Sequence, residues 1–238
     1  MSGLIESALA IMGGAERRIA IAASNVANAN TPGFKRQVSF AEAMVTAGGG
    51  RAETSPTAVR TRSDFSQGQM AASGNGLDVA IGGDGFFQLR AGEEIAYSRQ
   101  GQFHRADDGR VLSAQGHVLQ QAGGGDLVLD GGEVEILADG TVIEGERPVA
   151  RIAVFAAADP GRIEALGGSL FRIAEDAAEE LAEPDLRQHM VEASNVTLGE
   201  EMTGMMAALR QAESGARLVS VYDDLLGRAI TTFGQTGR

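Results

Sequence analysis

Apolar residues recur at seven-residue intervals at both ends of this 238-residue chain. Near the N-terminus Ile5, Met12, Ile19 and Val26 fall on one position, and Ala8, Ala15 and Ala22 on the position three residues later. Large residues on one row and alanine on the other predict a helix that packs closely against another helix. Its span is about Leu4 to Asn28, roughly 37 Å at 1.5 Å per residue. Thr31-Pro32-Gly33 stops it, because a residue before proline is pushed out of the α region and glycine permits a turn. Toward the C-terminus Leu198, Met205, Ala212, Val219 and Leu226 form one row, and Met202, Leu209, Ala216 and Ile230 the other, interrupted by Asp223. Thr197 followed by Glu200 reads as a capping box, so this helix is expected from Leu198 toward Phe233. Neither narrow stripe can be buried by its own helix. The periodicity alone leaves two partners open: the central part of the chain, or helices of other molecules.

Between the helices the period changes. Residues 37–76 are broken by Gly48-Gly49-Gly50, Ser55-Pro56 and Ser73-Gly74 and read as an irregular connector, with a short helical possibility from Phe40 to Val45. From Leu77 onward short strands are expected at 77–81, 86–90, 95–98, 102–105, 111–113, 117–120, 126–129, 133–137, 141–144, 149–155 and 169–173. Asp107-Asp108-Gly109 and Asp139-Gly140 spell hairpin turns, and neighbours in sequence are expected to be neighbours in the sheet. The fold class is α+β and discontinuous. N- and C-terminal helices pair as a coiled-coil-like domain around a central Gly-rich antiparallel all-β domain. The boundaries are 1–33 for the first helix, 34–76 for the connector, 77–185 for the β domain and 186–238 for the second helix.

Four letters, ASNV, close the first helix at 23–26 and return at 193–196 before the second. If the two helices lie side by side, both tags sit at the level where helix meets the rest of the chain. Short Ser and Asn side chains there can satisfy loose backbone groups. The candidate helix-end residues are Ser24, Asn25, Asn28, Asn30, Pro32, Gly33, Phe34, Ser194 and Asn195. The candidate assembly face is formed by the large seam residues, Ile5, Met12, Ile19, Val26, Leu198, Met202, Met205, Leu209, Val219, Leu226 and Ile230.

Composition narrows the function. The formal charge is −12, with no basic stripe to neutralise phosphates, so nucleic acid is not an expected partner. Lys35 is the single lysine among 20 basic residues. Without cysteine, disulfides and thiolate metal sites are excluded. No apolar stretch approaches a membrane span, so no direct membrane insertion is expected. The N-terminus does not read as a cleaved secretory signal, having Glu6 and no positive residue before Arg17.

No catalytic, cofactor or metal site is expected. His104, His117 and His189 lie in separate elements without metal-ligand spacing, although the first two could sit on adjacent strands. Gly82-Gly83-Asp84-Gly85 lacks the Lys-Ser/Thr of a phosphate loop, and no nucleophile elbow appears.

Taken together and in order, the motifs are more specific than any one of them. ASNVANANTPGFKR at 23–36, DFSQGQMAASGNGLDVAIGGDGFFQL at 64–89, YSRQGQF at 97–103, DGRVLSAQGHVLQ at 108–120, ADGTV at 138–142, ARIAVFAAADP at 150–160 and EASNVTLGEEMTGMM at 192–206 are similar to the blocks of the flagellar rod and hook axial proteins. The length fits a rod protein rather than the longer hook protein, with the proximal rod favoured over the distal rod. The resemblance implies terminal helices in an inner tube, a β domain outside, and helical assembly through contacts that do not close. It also implies as partners other copies of itself, other rod proteins of the proximal and distal rod, and the flagellar type III export apparatus. The implied place is the periplasm-spanning rod of the basal body, and the implied job is to transmit torque around a channel for later subunits.

Overall fold

The structure, a computed structural model, describes residues 2–42 and 58–235. The chain divides into two compact units, one made of Met1–Ala27, Gln37–Arg62 and Thr197–Arg238, the other of Asn28–Arg36 and Ser63–Val196.

The first unit is built on α1 (Ser2–Ala27) and α2 (Leu198–Gln235). They run antiparallel: Asn25 meets Glu201, the Arg18 guanidinium donates to the Gln211 side chain at 2.9 Å, and Met12 lies against Gly215. The buried contact is made by Ala8, Ala15 and Ala22 of α1 and by Ala208 and Gly215 of α2. A Cβ on Gly215 would fall 2.7 Å from Met12 Cγ, so the absence of a side chain sets how closely the helices approach. α2 begins at the predicted residue, with the Thr197 carbonyl accepting from the Glu200 and Glu201 N–H groups. β1 (Gln37–Glu42) and β2 (Ala58–Ser63) pair as a two-stranded sheet. The described part of the stretch expected to be irregular or briefly helical near Phe40 is thus strand. Val38 and Phe40 alternate with polar neighbours at period two, the spacing that suits a pleated strand. The glycine and proline breaks at 48–50 and 55–56, and the end of the helical possibility at 43–45, lie outside the described residues.

The second unit holds β3 (Met70–Ala72), β4 (Val79–Gly82), β5 (Phe86–Ala91), β6 (Glu94–Ser98), β7 (Phe103–Arg105), β8 (Val111–Ser113), β9 (Val118–Leu119) and β10 (Val134–Ile136). It continues through β11 (Thr141–Glu144), β12 (Arg147–Arg151), β13 (Val154–Ala157), β14 (Ile163–Gly167), β15 (Leu170–Ile173), β16 (Ala178–Glu180), β17 (Asp185–Gln188) and β18 (Met190–Glu192). The main sheet runs β14-β15-β6-β5-β9-β8-β7, with β13 joining β5 to β16, and every pairing is antiparallel.

Adjacent phenylalanines on β5 point to opposite faces, as the pleat requires. Phe87 and Leu89 enter a core with Val79, Ile81, Leu119, Leu127, Ile152 and Leu186. Phe86 enters a second cluster with Tyr97, Phe171 and Ile173. Sheet and cover are therefore apolar on both sides of one strand. Both predicted turns appear, Asp107–Gly109 between β7 and β8 and Asp139-Gly140 between β10 and β11.

Several expectations need correction. β4 pairs with β17 and β3 with β18, partners about a hundred residues away in sequence, so sequence order is not sheet order throughout. The expected strand at 149–155 is divided at Ile152 and Ala153 between β12 and β13. Ile152 turns instead to bridge Gln121. Residues 126–129 form isolated bridges, Gln120 with Asp126 and Arg110 with Val128, rather than a strand. His104 and His117 are not on adjacent strands, because β8 lies between β7 and β9.

Candidate functional site: the signature cluster and the helix faces

The zipping of β18 onto β3 brings the EASNV segment beside the GFKR segment inside the second unit. The Gly33 N–H donates to the Glu192 carbonyl at 2.8 Å. Gly33 has φ +67, and a Cβ there would collide with the Arg99 and Gln100 backbone, so the turn after Pro32 accepts no other residue without rearrangement. Its neighbour Phe34 is buried.

At the centre lies a dry charge cluster. Lys35 Nζ donates to Glu192 Oε1 at 2.6 Å and to the Ser66 carbonyl at 2.8 Å. The other Glu192 oxygen accepts from Arg99 at 3.3 Å, and the Gly68 N–H donates to Oε1 at 2.7 Å. Arg99 also donates to the Gly83 carbonyl at 2.6 Å and lies over the Phe86 ring at 5.4 Å. Two cations share one carboxylate away from water. Burial accordingly holds the Lys35 amine below its usual value, with the hydrogen bond and charge of Glu192 opposing that shift. Burial lowers Arg99 in the same way, opposed chiefly by the Glu192 charge.

The two ASNV tags do the same chemistry on consecutive residues of the chain. In the first unit Asn25 is fully buried; its oxygen accepts from the Gln37 N–H at 2.9 Å, and its amide donates to the Gln37 carbonyl at 2.8 Å and to Glu201 at 3.0 Å. In the second unit Asn195 accepts from the Arg36 N–H at 2.7 Å and donates to the carbonyls of Asp64 and Ser66 at 2.8 and 3.0 Å. An asparagine amide copies the peptide group, so each tag pins irregular backbone that no strand partner serves. Among the other signature residues, Asn28 accepts from the Thr31 hydroxyl and backbone N–H, Pro32 accepts from the Ser169 hydroxyl, and the Ser194 hydroxyl accepts from the Val196 N–H. Asn30 is exposed, and Ser24 is partly buried.

On the helices the large seam residues are distributed differently from the small ones. Ile5, Met12, Ile19 and Val26 of α1 and Met205 and Val219 of α2 are partly buried beside the alanine contact. Leu198, Met202, Leu209 and Leu226 are exposed, at 48%, 54%, 47% and 38%. The side chain of Ile230 lies outside the described residues. Leu218, Val221 and Leu225 line a shallow apolar groove with Ile5 and Ala8.

Sequence reading did not find the Lys35–Glu192–Arg99 cluster. A solitary lysine inside a signature motif was the available signal. Among the described residues no group of three or more His, Cys, Asp or Glu is placed to hold a metal ion, and no helix is long and apolar enough to cross a membrane.

Comparison with known proteins gives these features a family. Residues 14–35 match the flagella basal body rod protein family model, residues 80–144 the D1 domain of the flagellar hook protein FlgE/F/G, and residues 187–232 the C-terminal domain of the flagellar basal body rod FlgEFG proteins. The FlgF rod protein of Salmonella typhimurium is 33% identical, covering 88% of this chain and 90% of its own length. That of Caulobacter vibrioides is 30% identical over 92% of this chain and 93% of its own. The FlgG rod protein of Bacillus subtilis is 26% identical over 89% of this chain and 91% of its own. The chain belongs to the flagellar basal-body rod protein family, FlgF type with FlgG close to it, and is a structural subunit of the rod in the basal body.

Proposed function

We propose that this chain is a subunit of the proximal rod, adding helically to further copies of itself and to other rod proteins. Its terminal helices pair in a coiled-coil-like manner and line the hollow core, leaving a passage for later subunits, and the β unit lies outside them. The work is mechanical, with no catalytic step, and the chain reaches its place through the flagellar type III export apparatus. The observation that carries the reading is the exposure of four large apolar residues on α2, Leu198, Met202, Leu209 and Leu226, on a chain of a flagellar rod family. Large apolar side chains left in water beside an alanine-lined contact mark surfaces that another molecule covers. The remaining seam residues, Ile5, Met12, Ile19, Val26, Met205, Val219 and Ile230, border those surfaces. Locating a tagged copy in isolated basal bodies tests the reading. Label at the motor-side end of the rod supports it, and label at the hook side, or none, overturns it.

A further inference from the structure

Of the five asparagines in the chain only Asn75 is followed by glycine; the others precede Val26, Ala29, Thr31 and Val196. Asparagine is a thermolabile residue, and this dipeptide is its most reactive setting. The backbone nitrogen of the next residue attacks the asparagine Cγ, and a glycine there has no Cβ to hinder the approach. The new C–N bond closes a five-membered succinimide. The Cγ–Nδ2 bond breaks, and the side-chain nitrogen leaves as ammonia with the proton of the attacking N–H. Water then opens the ring at one carbonyl or the other, leaving Asp or isoaspartate. Nothing is oxidised or reduced, and water is the only co-reactant.

The fold sets this dipeptide in the turn that leads from β3 into β4. Asn75 Oδ1 accepts from the Leu77 N–H at 3.2 Å, closing an Asx turn. Its Nδ2 donates to Asp78 Oδ1 at 2.9 Å and to the Phe103 carbonyl at 3.1 Å. Asp78 is buried, and its other oxygen accepts from the Ser73 hydroxyl. The amide is therefore held at both ends although Asn75 itself is exposed. Its Cγ cannot swing over the Gly76 nitrogen without giving up these contacts. The products fit worse than the reactant. An aspartate would turn an oxygen toward a buried carboxylate and a carbonyl, both of which the amide had satisfied as a donor. Isoaspartate would add a carbon to a backbone turn that the Asp78 N–H closes on the Asn75 carbonyl at 3.2 Å. The core residues Val79, Ala80 and Ile81 of β4 follow directly. Glycine itself is not what the turn requires. Gly76 lies outside the left-handed region, and a Cβ on it would meet only His189 Cε1, at 3.9 Å.

We propose that Asn75–Gly76 is a site of spontaneous modification that the native turn masks and the unfolded chain exposes. A chain left unfolded loses the amide, and the product cannot rebuild the entry to β4, so the mark runs one way. The proposal concerns the β unit alone and stands apart from the rod reading.

The test incubates the full-length chain in warm, mildly alkaline buffer, folded and in urea, beside a synthetic peptide of residues 70–81 as the unmasked reference. Peptide mass spectrometry reads the exchange of NH2 for OH at Asn75. The folded chain is expected to react at least about tenfold more slowly than the unfolded chain and the peptide, because only locally opened molecules can cyclise. A folded chain that reacts as fast as the peptide overturns the masking. In urea, Gly76→Ala is expected to react several-fold more slowly than the wild type, and an unchanged rate overturns the succinimide route. Asn75→Asp, which installs one product directly, is expected to unfold at lower urea than the wild type or not to fold. A midpoint equal to that of the wild type overturns the one-way mark.

Discussion

Lys35 and Glu192, separated by 157 positions in sequence, form an ion pair 2.6 Å long in which both side chains are 1% exposed. The pair joins the GFKR and EASNV blocks inside the β unit, and Arg99 completes it from a third block. Glu192 is the only anion in direct contact with two buried cations among the described residues. Its replacement by Gln would leave both without a contacting counter-charge in a buried site. We expect Glu192→Gln to lower the stability of the β unit by about 3–5 kcal/mol, the range for breaking a buried pair from one side. Urea unfolding followed by a β-sheet signal measures it. Lys35→Met with Glu192→Leu is expected to recover part of the loss, because no lysine is then stranded; a double variant weaker than Glu192→Gln would contradict this.

The same amine gives a pH signature. Lys35 releases its proton more readily in the fold than in the unfolded chain, because burial outweighs the help from Glu192. In the alkaline window between its lowered folded value and the ordinary 10.5, the unfolded state holds the extra proton, so folding stability rises with pH. Lys35→Met is expected to flatten that rise. Urea midpoints for both proteins across the window decide it, and equal slopes would show that Lys35 does not titrate there.

Asn25 supports a prediction with an internal control. Its amide donates to both the Gln37 carbonyl and the Glu201 carboxylate, so an acid at this position loses two donors and faces a like charge. Asn25→Ala is expected to cost about 1–3 kcal/mol, the penalty for buried groups left without partners. Asn25→Asp is expected to cost more despite its closer shape. Helical circular dichroism and thermal melting of the two variants rank them; an Asp variant at least as stable as Ala would show that Glu201 does not press on this site.

How much of this was legible depends on where the partner lies. Both helices and the two Asp-Gly-type turns could be read because period and punctuation are local, as with Ile5, Met12 and Ile19 or Asp139-Gly140. β17 and β18 could not. Leu186 and Val191 sit in a polar stretch whose alternation becomes meaningful only against Ala80 and Ala71, far upstream. On α2 it is Ala208 and Gly215 that face α1, while Leu198, Met202, Leu209 and Leu226 of the large seam rows are exposed. Hydrophobic periodicity records every burial a helix undergoes, in its own chain and in the assembled rod, and cannot say which comes first. Asn25 and Asn195 stand out in the sequence through the repeated ASNV letters, but Lys35, Arg99 and Glu192 do not, because a charged residue in a sequence reads as exposed until its partner is known.

The close approach of Gly101 to Val79 gives a test of the core. The Val79 N–H donates to the Gly101 carbonyl at 2.9 Å, and a Cβ on Gly101 would overlap the Val79 carbonyl oxygen and crowd the Phe87 ring. Backbone, unlike a side-chain end, cannot swing aside. Gly101→Ala is expected to destabilise the β unit by about 3 kcal/mol, the upper end for overpacking. A calorimetric melt indistinguishable from wild type would place Gly101 farther from the Val79 backbone than described.

The final prediction concerns the helices before assembly. Contact through Ala8, Ala15, Ala22, Ala208 and Gly215 removes little apolar surface from water, because alanine and glycine have little to bury. Ordering some sixty helical residues at about 1–2 kcal/mol of backbone entropy each is a large opposing term. Hydrogen bonds along two long helices offset much of it, but the Leu and Met that would complete the balance are exposed in the single chain. The β unit, with Phe87, Leu89, Leu119 and Ile152 fully buried, has no such shortfall. In hydrogen exchange on the dilute monomer, amides of residues 2–27 and 198–235 are therefore expected to exchange orders of magnitude faster than those of β5 and β9. Leu209→Asp should leave this monomer profile unchanged and still abolish swimming. Protection in the helices equal to that of β5 would mean that the helix pair is as stable in one chain as the β unit, and the exposed leucines and methionines would then need another explanation.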